Sequence, residues 1–399
     1  MTSFPTPLSP RRKALRWVLA PSLMSLALSF ASAETPASPG PVAKALQPFV
    51  DDHVLAGAVT LVADKEKILD VETVGFADVA SHKAMTPDAL FWIASMSKPI
   101  TATAFMMLVD EGKIKLDDPV EKYLPEFKGQ MVMTEKDNPQ SLKAPKHPIT
   151  VKNILSHTSG MAFASPMEKP TLDLFPLEDR VKSYAKMPLQ FEPDTKYQYA
   201  NAGINTAGRL IEVLSGMKYQ DFLAKRLFEP LGMKDTTFFP TEAQITRIAT
   251  SYGPTKDRSN IQATTVGQLK YPLTDAARQP MPAGGLFSTA ADVAKFCQML
   301  LNGGEIDGKR YISAESLKQM SSTQTGSLPN SYGLGFATDK KPGGAFGHGG
   351  AYSTDMTIDP PHNLITVFMV QNAGWRSDEG KKILPAFRKV ARDTFAKEK

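Results

Sequence analysis

The pair of residues best disposed for covalent chemistry is Ser95 and Lys98, in the stretch F-W-I-A-S-M-S-K-P-I-T-A-T-A-F-M-M-L-V-D from Phe91 to Asp110. A serine hydroxyl is a poor nucleophile near neutral pH unless a base takes its proton. A lysine three residues on, in the first turn of the same helix, can reach that oxygen. The helix start adds free N–H groups and partial positive charge, both favourable to negative charge developing on an attacked carbonyl. Pro99 fits there, because a first-turn proline forfeits no helical hydrogen bond. The same S-x-x-K spacing recurs at Ser183/Lys186 and Ser215/Lys218. Those two have structural readings: Ser215-Gly216 closes the helical pattern N-T-A-G-R-L-I-E-V-L, and Ser183 lies in a polar helix ending before Pro188. Only Ser95 opens a long apolar helix, with Ala102, Phe105, Met106 and Val109 on one face. On pattern alone Ser95 reads as readily as a helix cap, a place serine favours for structural reasons.

Two further stretches carry reactive side chains. Tyr199-Ala200-Asn201 is the one Y-x-N among ten tyrosines. A tyrosine near a lysine ammonium has its phenolate favoured, so it could accept a serine proton and pass it to a leaving group. Asn201 could bond both the lysine and a substrate carbonyl. F-G-H-G-G-A, Phe346 to Ala351, is a glycine-rich strand edge with one histidine. Glycine there permits a close backbone approach, which serves a tight bend and equally an oxyanion hole or an extended substrate. It matches neither a phosphate loop nor a dinucleotide fingerprint. The six histidines are scattered without metal-ligand spacing, so neither metal nor cofactor is expected.

The elements that must position these residues come from both ends of the chain. Val42 to Val54 reads as an amphipathic helix, followed by strands G-A-V-T-L-V-A-D and K-I-L-D-V-E-T-V-G with Asp64 to Glu66 as their turn. Beyond Gly284, Ser288-Thr289 with Asp292 resembles a capping box for a helix containing Cys297 and ending at Gly303-Gly304. Strand candidates follow at Tyr332 to Ala337, Gly344 to His348, Ser353 to Ile358 and Leu364 to Gln371, with a hairpin turn at Pro360 to Asn363. A last helix is expected over Asp378 to Ala396. The middle of the chain is richer in proline, charge and short helices. The fold class expected is therefore α/β (α+β): an antiparallel sheet lobe from 42–112 and 282–399, flanked by helices, with a mostly helical lobe, 113–281, inserted.

Composition narrows the function. Arg11, Arg12, Lys13 and Arg16 precede an apolar run from Trp17 to Ala31, and Ala31-Ser32-Ala33 offers a signal-peptidase site before Glu34. Residues 1–33 are thus expected to be an export signal cut after Ala33, with a linker over 34–41 and a periplasmic or secreted product. The run is shorter than the ~20 residues of a membrane span. Losing it removes four basic groups and no acidic one, so the net charge falls from +5 to about +1. No basic stripe then remains for nucleic acid. The single cysteine, Cys297, excludes an internal disulfide and sits at core spacing with Val293, Phe296 and Leu300.

Together, S-M-S-K at Ser95, Y-A-N at Tyr199 and H-G-G at His348, in that order, resemble the three active-site motifs of the penicillin-recognising serine hydrolases. The branch they are most similar to holds class C β-lactamases, DD-peptidases and family VIII carboxylesterases. The stretches L-S-H-T-S-G, P-L-G-M-K-D-T-T-F and A-G-G-L-F-S-T-A-A-D resemble further family signatures, so the likeness covers nearly all of the chain after residue 41. It implies that Ser95 is the acyl-accepting nucleophile, that Lys98 and Tyr199 share the acid and base work, and that the N–H groups of Ser95 and Ala351 form the oxyanion hole. Asn201 would orient Lys98 and substrate, while His348, Gly349 and Gly350 would line the site from a strand. The partner implied is a small acyl substrate: ester, amide or β-lactam.

Two residues depart from the β-lactamase pattern. His348-Gly349-Gly350 stands where K-T-G holds the carboxylate of penicillins, and Ala200 replaces the serine of Y-S-N. A histidine is mostly neutral above about pH 6.5, which weakens that attraction. Recognition of carboxylate-bearing β-lactams is thus expected to rise on acidification, and ester or amide hydrolysis to dominate. β-Lactamase or D-alanyl peptidase action is the alternative, and an acylable sensor without turnover is another. An α/β-hydrolase is disfavoured because G-x-S-x-G is missing. Ser156-His157 does not make a triad, since adjacent residues rarely face one another.

Overall fold

A computed structural model describes residues 39–135, 138 and 140–396. The expected signal, residues 1–33, and its cleavage site lie outside the described residues. The frame is a seven-stranded antiparallel sheet of β1 (Gly57–Ala63), β2 (Ile68–Asp78), β3 (Lys83–Ala84), β4 (Ala337–Thr338), β5 (Phe346–Gly349), β6 (Asp355–Asp359) and β7 (Leu364–Met369), in the order β4-β5-β6-β7-β1-β2-β3. The two chain ends meet where β1 pairs with β7, Val59 opposite Met369 through Ala63 opposite Ile365. Asp64 makes the β1–β2 turn by accepting the N–H groups of Glu66 and Lys67 at 2.9 and 2.8 Å.

The helices around this sheet and its site are α1 (Pro41–Asp51), α2 (Ser97–Asp110), α3 (Val151–Ser156), α4 (Asn201–Ser215), α5 (Ala290–Leu301) and α6 (Ile383–Phe395). On one face α1 and α6 pack Leu46 and Phe387 into a cluster with Val62 and Phe368. Phe296 and Cys297 of α5 join Val59, Leu61 and Val367 in the other, larger cluster. With both faces covered, every residue of β1 is buried, which is why it reads as a continuous apolar run.

Three expectations change. Helix α2 has no single apolar face: Ser97 through Leu108 are all buried, with the Thr103 hydroxyl donating to the Pro99 carbonyl and the Thr101 hydroxyl to the Pro282 carbonyl outside the helix. It runs through the centre of the molecule, where an amphipathic pattern has no solvent to face. Of the strand expected over Tyr332 to Ala337 only its last residue, Ala337, enters β4. A β-carbon on Gly333 would lie 1.9 Å from the Met320 carbonyl oxygen, and Gly335 is left-handed (φ 77°) against Ala102 of α2, so the segment folds onto the helix. The capping box at α5 is half formed: Thr289 accepts the Asp292 N–H, but the Asp292 carboxylate turns to Asp235 N and Thr236 Oγ1 instead.

Candidate active site

Phe91 and Trp92 pair with Phe287 and Ser288, and the Ile93 N–H donates to the Leu286 carbonyl at 2.9 Å. The chain then turns through Ala94, whose φ of 45° lies in a region alanine rarely adopts. Such strain persists where the surroundings over-determine it and is common beside reactive groups. Ser95 follows in a short 3-10 turn, Ala94–Met96, that runs into α2. Ser95 therefore stands just before the α-helix, not within its first turn.

Lys98 is fully buried, with Nζ 3.1 Å from Ser95 Oγ and 2.6 Å from the Ala283 carbonyl oxygen. That carbonyl is itself fixed: Asn205 Oδ1 accepts the Ala283 N–H at 3.0 Å, and Thr101 Oγ1 donates to the Pro282 carbonyl at 2.7 Å. Burial holds the Lys98 amine well below the ordinary lysine range. With one N–H committed to Ala283, a neutral amine can turn its lone pair to the Ser95 hydroxyl.

Tyr199 ends an extended segment ahead of α4, and its ring lies 4.6 Å from Lys98 Nζ. The nearby Ser95 hydroxyl favours its phenolate, yet burial, the larger effect, raises its pKa above the tyrosine norm. Burial thus disfavours both the ammonium of Lys98 and the phenolate of Tyr199, so the surroundings of Tyr199 do not favour the phenolate expected there. Asn201 is buried at the first position of α4, its N–H donating to the Phe163 carbonyl at 2.9 Å. Its amide makes no hydrogen bond among the described residues, and Ala283, not Asn201, takes the second bond of Lys98.

His348 lies on β5 opposite Met356, its ring centroid 6.0 Å from that of Tyr199. Nδ1 is 2.7 Å from the Gly349 carbonyl oxygen and Nε2 is 3.0 Å from Tyr332 Oη. A carbonyl can only accept, so Nδ1 carries the proton and Tyr332 donates to Nε2. Burial first, then the proximity of Lys98, lowers its pKa to about 3. His348 therefore stays neutral on acidification, and the expected acid-dependent attraction for carboxylates is withdrawn. Of the two glycines only Gly350 is sterically required. A β-carbon there would meet Thr354 Oγ1 at 2.1 Å and the Ile93 carbonyl oxygen at 2.6 Å, whereas at Gly349 the nearest atom would be 3.6 Å away. Gly350 thereby brings the turn carrying exposed Ala351 against the residues preceding Ser95.

Sequence reasoning missed Tyr332 and His157. Tyr332 gives no local signal, because its partner is 16 positions away. His157 was set aside with Ser156, and the Ser156 hydroxyl does turn elsewhere, to the Lys152 carbonyl at 2.8 Å. The His157 ring nevertheless stacks 4.5 Å from Tyr199 and 4.7 Å from Tyr332. Among the described residues no group of three or more His, Cys, Asp or Glu is placed to hold a metal ion, and no helix is long and apolar enough to cross a membrane.

Residues 42–387 match the sequence model of a family described as Beta-lactamase. The chain is 30% identical over 354 residues to Protein Rv1367c of Mycobacterium tuberculosis, covering 81% of this chain and 87% of that one. It is 31% identical over 317 residues to penicillin-binding protein 4 of Amycolatopsis lactamdurans, covering 75% and 76%. Among solved structures it is similar to EstCE1, described as a hydrolase with promiscuous acyltransferase activity, with a TM-score of 0.72 over 88% of this chain and 97% of that one at 22% identity.

Proposed function

The chain belongs to the beta-lactamase family of serine hydrolases, and on that premise we propose that it forms an acyl-enzyme on Ser95 and cleaves uncharged carboxylic esters or amides in preference to carboxylate-bearing β-lactams. Lys98 takes the Ser95 proton as Oγ attacks the carbonyl carbon. The N–H groups of Ser95 and Ala351 receive the resulting oxyanion, each contributing roughly 3 kcal/mol to lowering the barrier. Tyr199 hands its proton to the departing oxygen or nitrogen and is replenished from the Lys98 ammonium, so the base is neutral again. Water then repeats the sequence to free the acid. Asn201 offers its amide to the acyl side of the substrate.

The observation that carries the preference is the state of His348. It stands in the place of the carboxylate-holding lysine, buried, neutral and with both nitrogens already bonded. The description of EstCE1 as a hydrolase with promiscuous acyltransferase activity supports the acyl-enzyme part of this reading. The test is steady-state turnover of p-nitrophenyl butyrate, nitrocefin and a D-alanyl-D-alanine peptide by the protein lacking residues 1–33. Ester turnover should exceed that of nitrocefin several-fold, the size of effect expected from one missing charge contact to a substrate carboxylate that stays partly hydrated. Ser95→Ala should abolish it, and mass spectrometry should place the acyl adduct on Ser95. A single stoichiometric burst would make the protein an acylable sensor. Faster cleavage of the peptide or nitrocefin would replace the ester reading.

A further inference from the structure

His157 ends α3 in the left-handed conformation, φ 61° and ψ 31°. That turn brings two acceptors of one residue to the same neighbouring segment. The His157 carbonyl accepts the N–H of Gln198 at 2.9 Å, and His157 Nδ1 accepts the N–H of Ala200 at 3.2 Å. In an extended chain alternate amides face the same way, and Ala200 is extended (φ −144°, ψ 132°). The two bonds therefore straddle Tyr199. Because Nδ1 accepts, the neutral ring carries its proton on Nε2, which is buried without a hydrogen-bond partner among the described residues. The ring fills the space between Tyr199 and Tyr332, the tyrosine that bonds His348.

We propose that His157 is a positioning residue, a two-point clamp on the backbone either side of Tyr199 that holds its ring beside Lys98 and Ser95. The proposal rests on the reading of Ser95, Lys98 and Tyr199 as the reacting groups. Backbone tethering matters here because a phenol that delivers a proton must stay within hydrogen-bond reach through both halves of the reaction. Packing alone would ask only for a ring at position 157. The clamp asks for an acceptor at the position of Nδ1 and for a residue tolerant of positive φ.

Two variants separate these demands. His157→Phe keeps the ring and removes the acceptor, leaving the Ala200 N–H unpaired. His157→Asn removes the ring but places Oδ1 where Nδ1 branches from Cγ, and asparagine tolerates the left-handed region. His157→Phe should lower kcat about tenfold or more with little change in KM, as a lost bond to a buried amide implies. His157→Asn should recover most of that loss. Neither should move the acid limb of the pH profile, which belongs to Lys98. In a Tyr199→Phe background His157→Phe should cost little more, since it acts through the phenol. Amide hydrogen exchange gives a readout independent of catalysis: in His157→Phe the Ala200 amide should exchange faster while Gln198, bonded to the backbone carbonyl, stays protected. An unchanged kcat in His157→Phe, losses that multiply with Tyr199→Phe, or an Ala200 amide still protected would each overturn the clamp. A wild-type protein that hydrolyses no ester would overturn the functional reading instead, and the exchange result would still decide the clamp.

Discussion

Around Ser95, burial decides charge. Lys98, Tyr199 and His348 could each be ionised in water at some pH, and burial shifts each of them toward its neutral form because the charged form has lost its water. The pH dependence follows with a definite sign. Lys98 must be unprotonated to take the serine proton, so ester kcat/KM should rise with pH through its lowered pKa and then level off. The raised Tyr199 phenol adds no fall on the alkaline side until well above neutrality. His348, titrating at about 3, adds nothing in between. The ratio of nitrocefin to ester kcat/KM should therefore be flat between about pH 5 and about pH 8, and a ratio rising on acidification would show that His348 takes a proton there. That Lys98 would reach Ser95 is legible in the chain because their spacing is a local fact, and the order of the motifs brings Tyr199 into the same expectation. The neutral state of His348 is not legible there, because its causes are burial and the proximity of Lys98, both set by long-range packing that includes Tyr332 on a loop whose glycines press on α2.

Regular elements with local signals are similarly legible: β1, β2, the β6–β7 hairpin and α6 lie within a few residues of where alternation, turn residues and helical spacing put them. What holds one element to another is less so. Helix α1 has no side-chain cap of its own; Glu72 of β2 accepts its Val42 and Ala43 N–H groups at 3.0 and 2.7 Å. That carboxylate sits two residues from Asp70 on the same face of the strand, and partial burial together with Glu72 raises Asp70 to about 6. A carboxyl whose folded pKa lies above its unfolded value stabilises the fold while protonated, and the cost appears as pH rises through the interval. Asp70→Asn should therefore stabilise the protein at neutral pH by on the order of 1 kcal/mol, discounted for the exposure of the site. The gain should grow between about pH 4 and about pH 6 and stay constant above. Urea midpoints of wild type and variant across that range measure it. A gain that is the same at pH 4 and pH 7 would mean that loss of repulsion is not its source.

At the scale of the whole molecule, the sheet built from both ends is a frame for long stretches with little regular structure, and these must be fixed by side chains bonded to backbone. The buried pair Asp173 and Arg278 does this for the segments leading to Ala283, the carbonyl partner of Lys98. Arg278 Nε donates to Asp173 Oδ2 at 2.8 Å, and its Nη1 donates to the carbonyls of Leu273 and Phe238 at 3.0 and 3.1 Å. Asp173 Oδ1 in turn accepts the Lys270 N–H at 2.9 Å. Both side chains are 1% exposed, so each charge depends on the other. Five residues after Arg278 comes Ala283, whose carbonyl meets Lys98. Arg278→Met should cost about 3–5 kcal/mol in urea unfolding, because it strands the Asp173 carboxylate away from water. Asp173→Asn combined with Arg278→Met removes that stranded charge, and the double variant should be more stable than Arg278→Met alone. It should still fall short of wild type, since the Leu273 and Phe238 carbonyls lose their donor. If the double variant is no more stable than the single one, the cost lies in those carbonyl contacts and not in the buried charge, and the pair acts as a neutral bracket would.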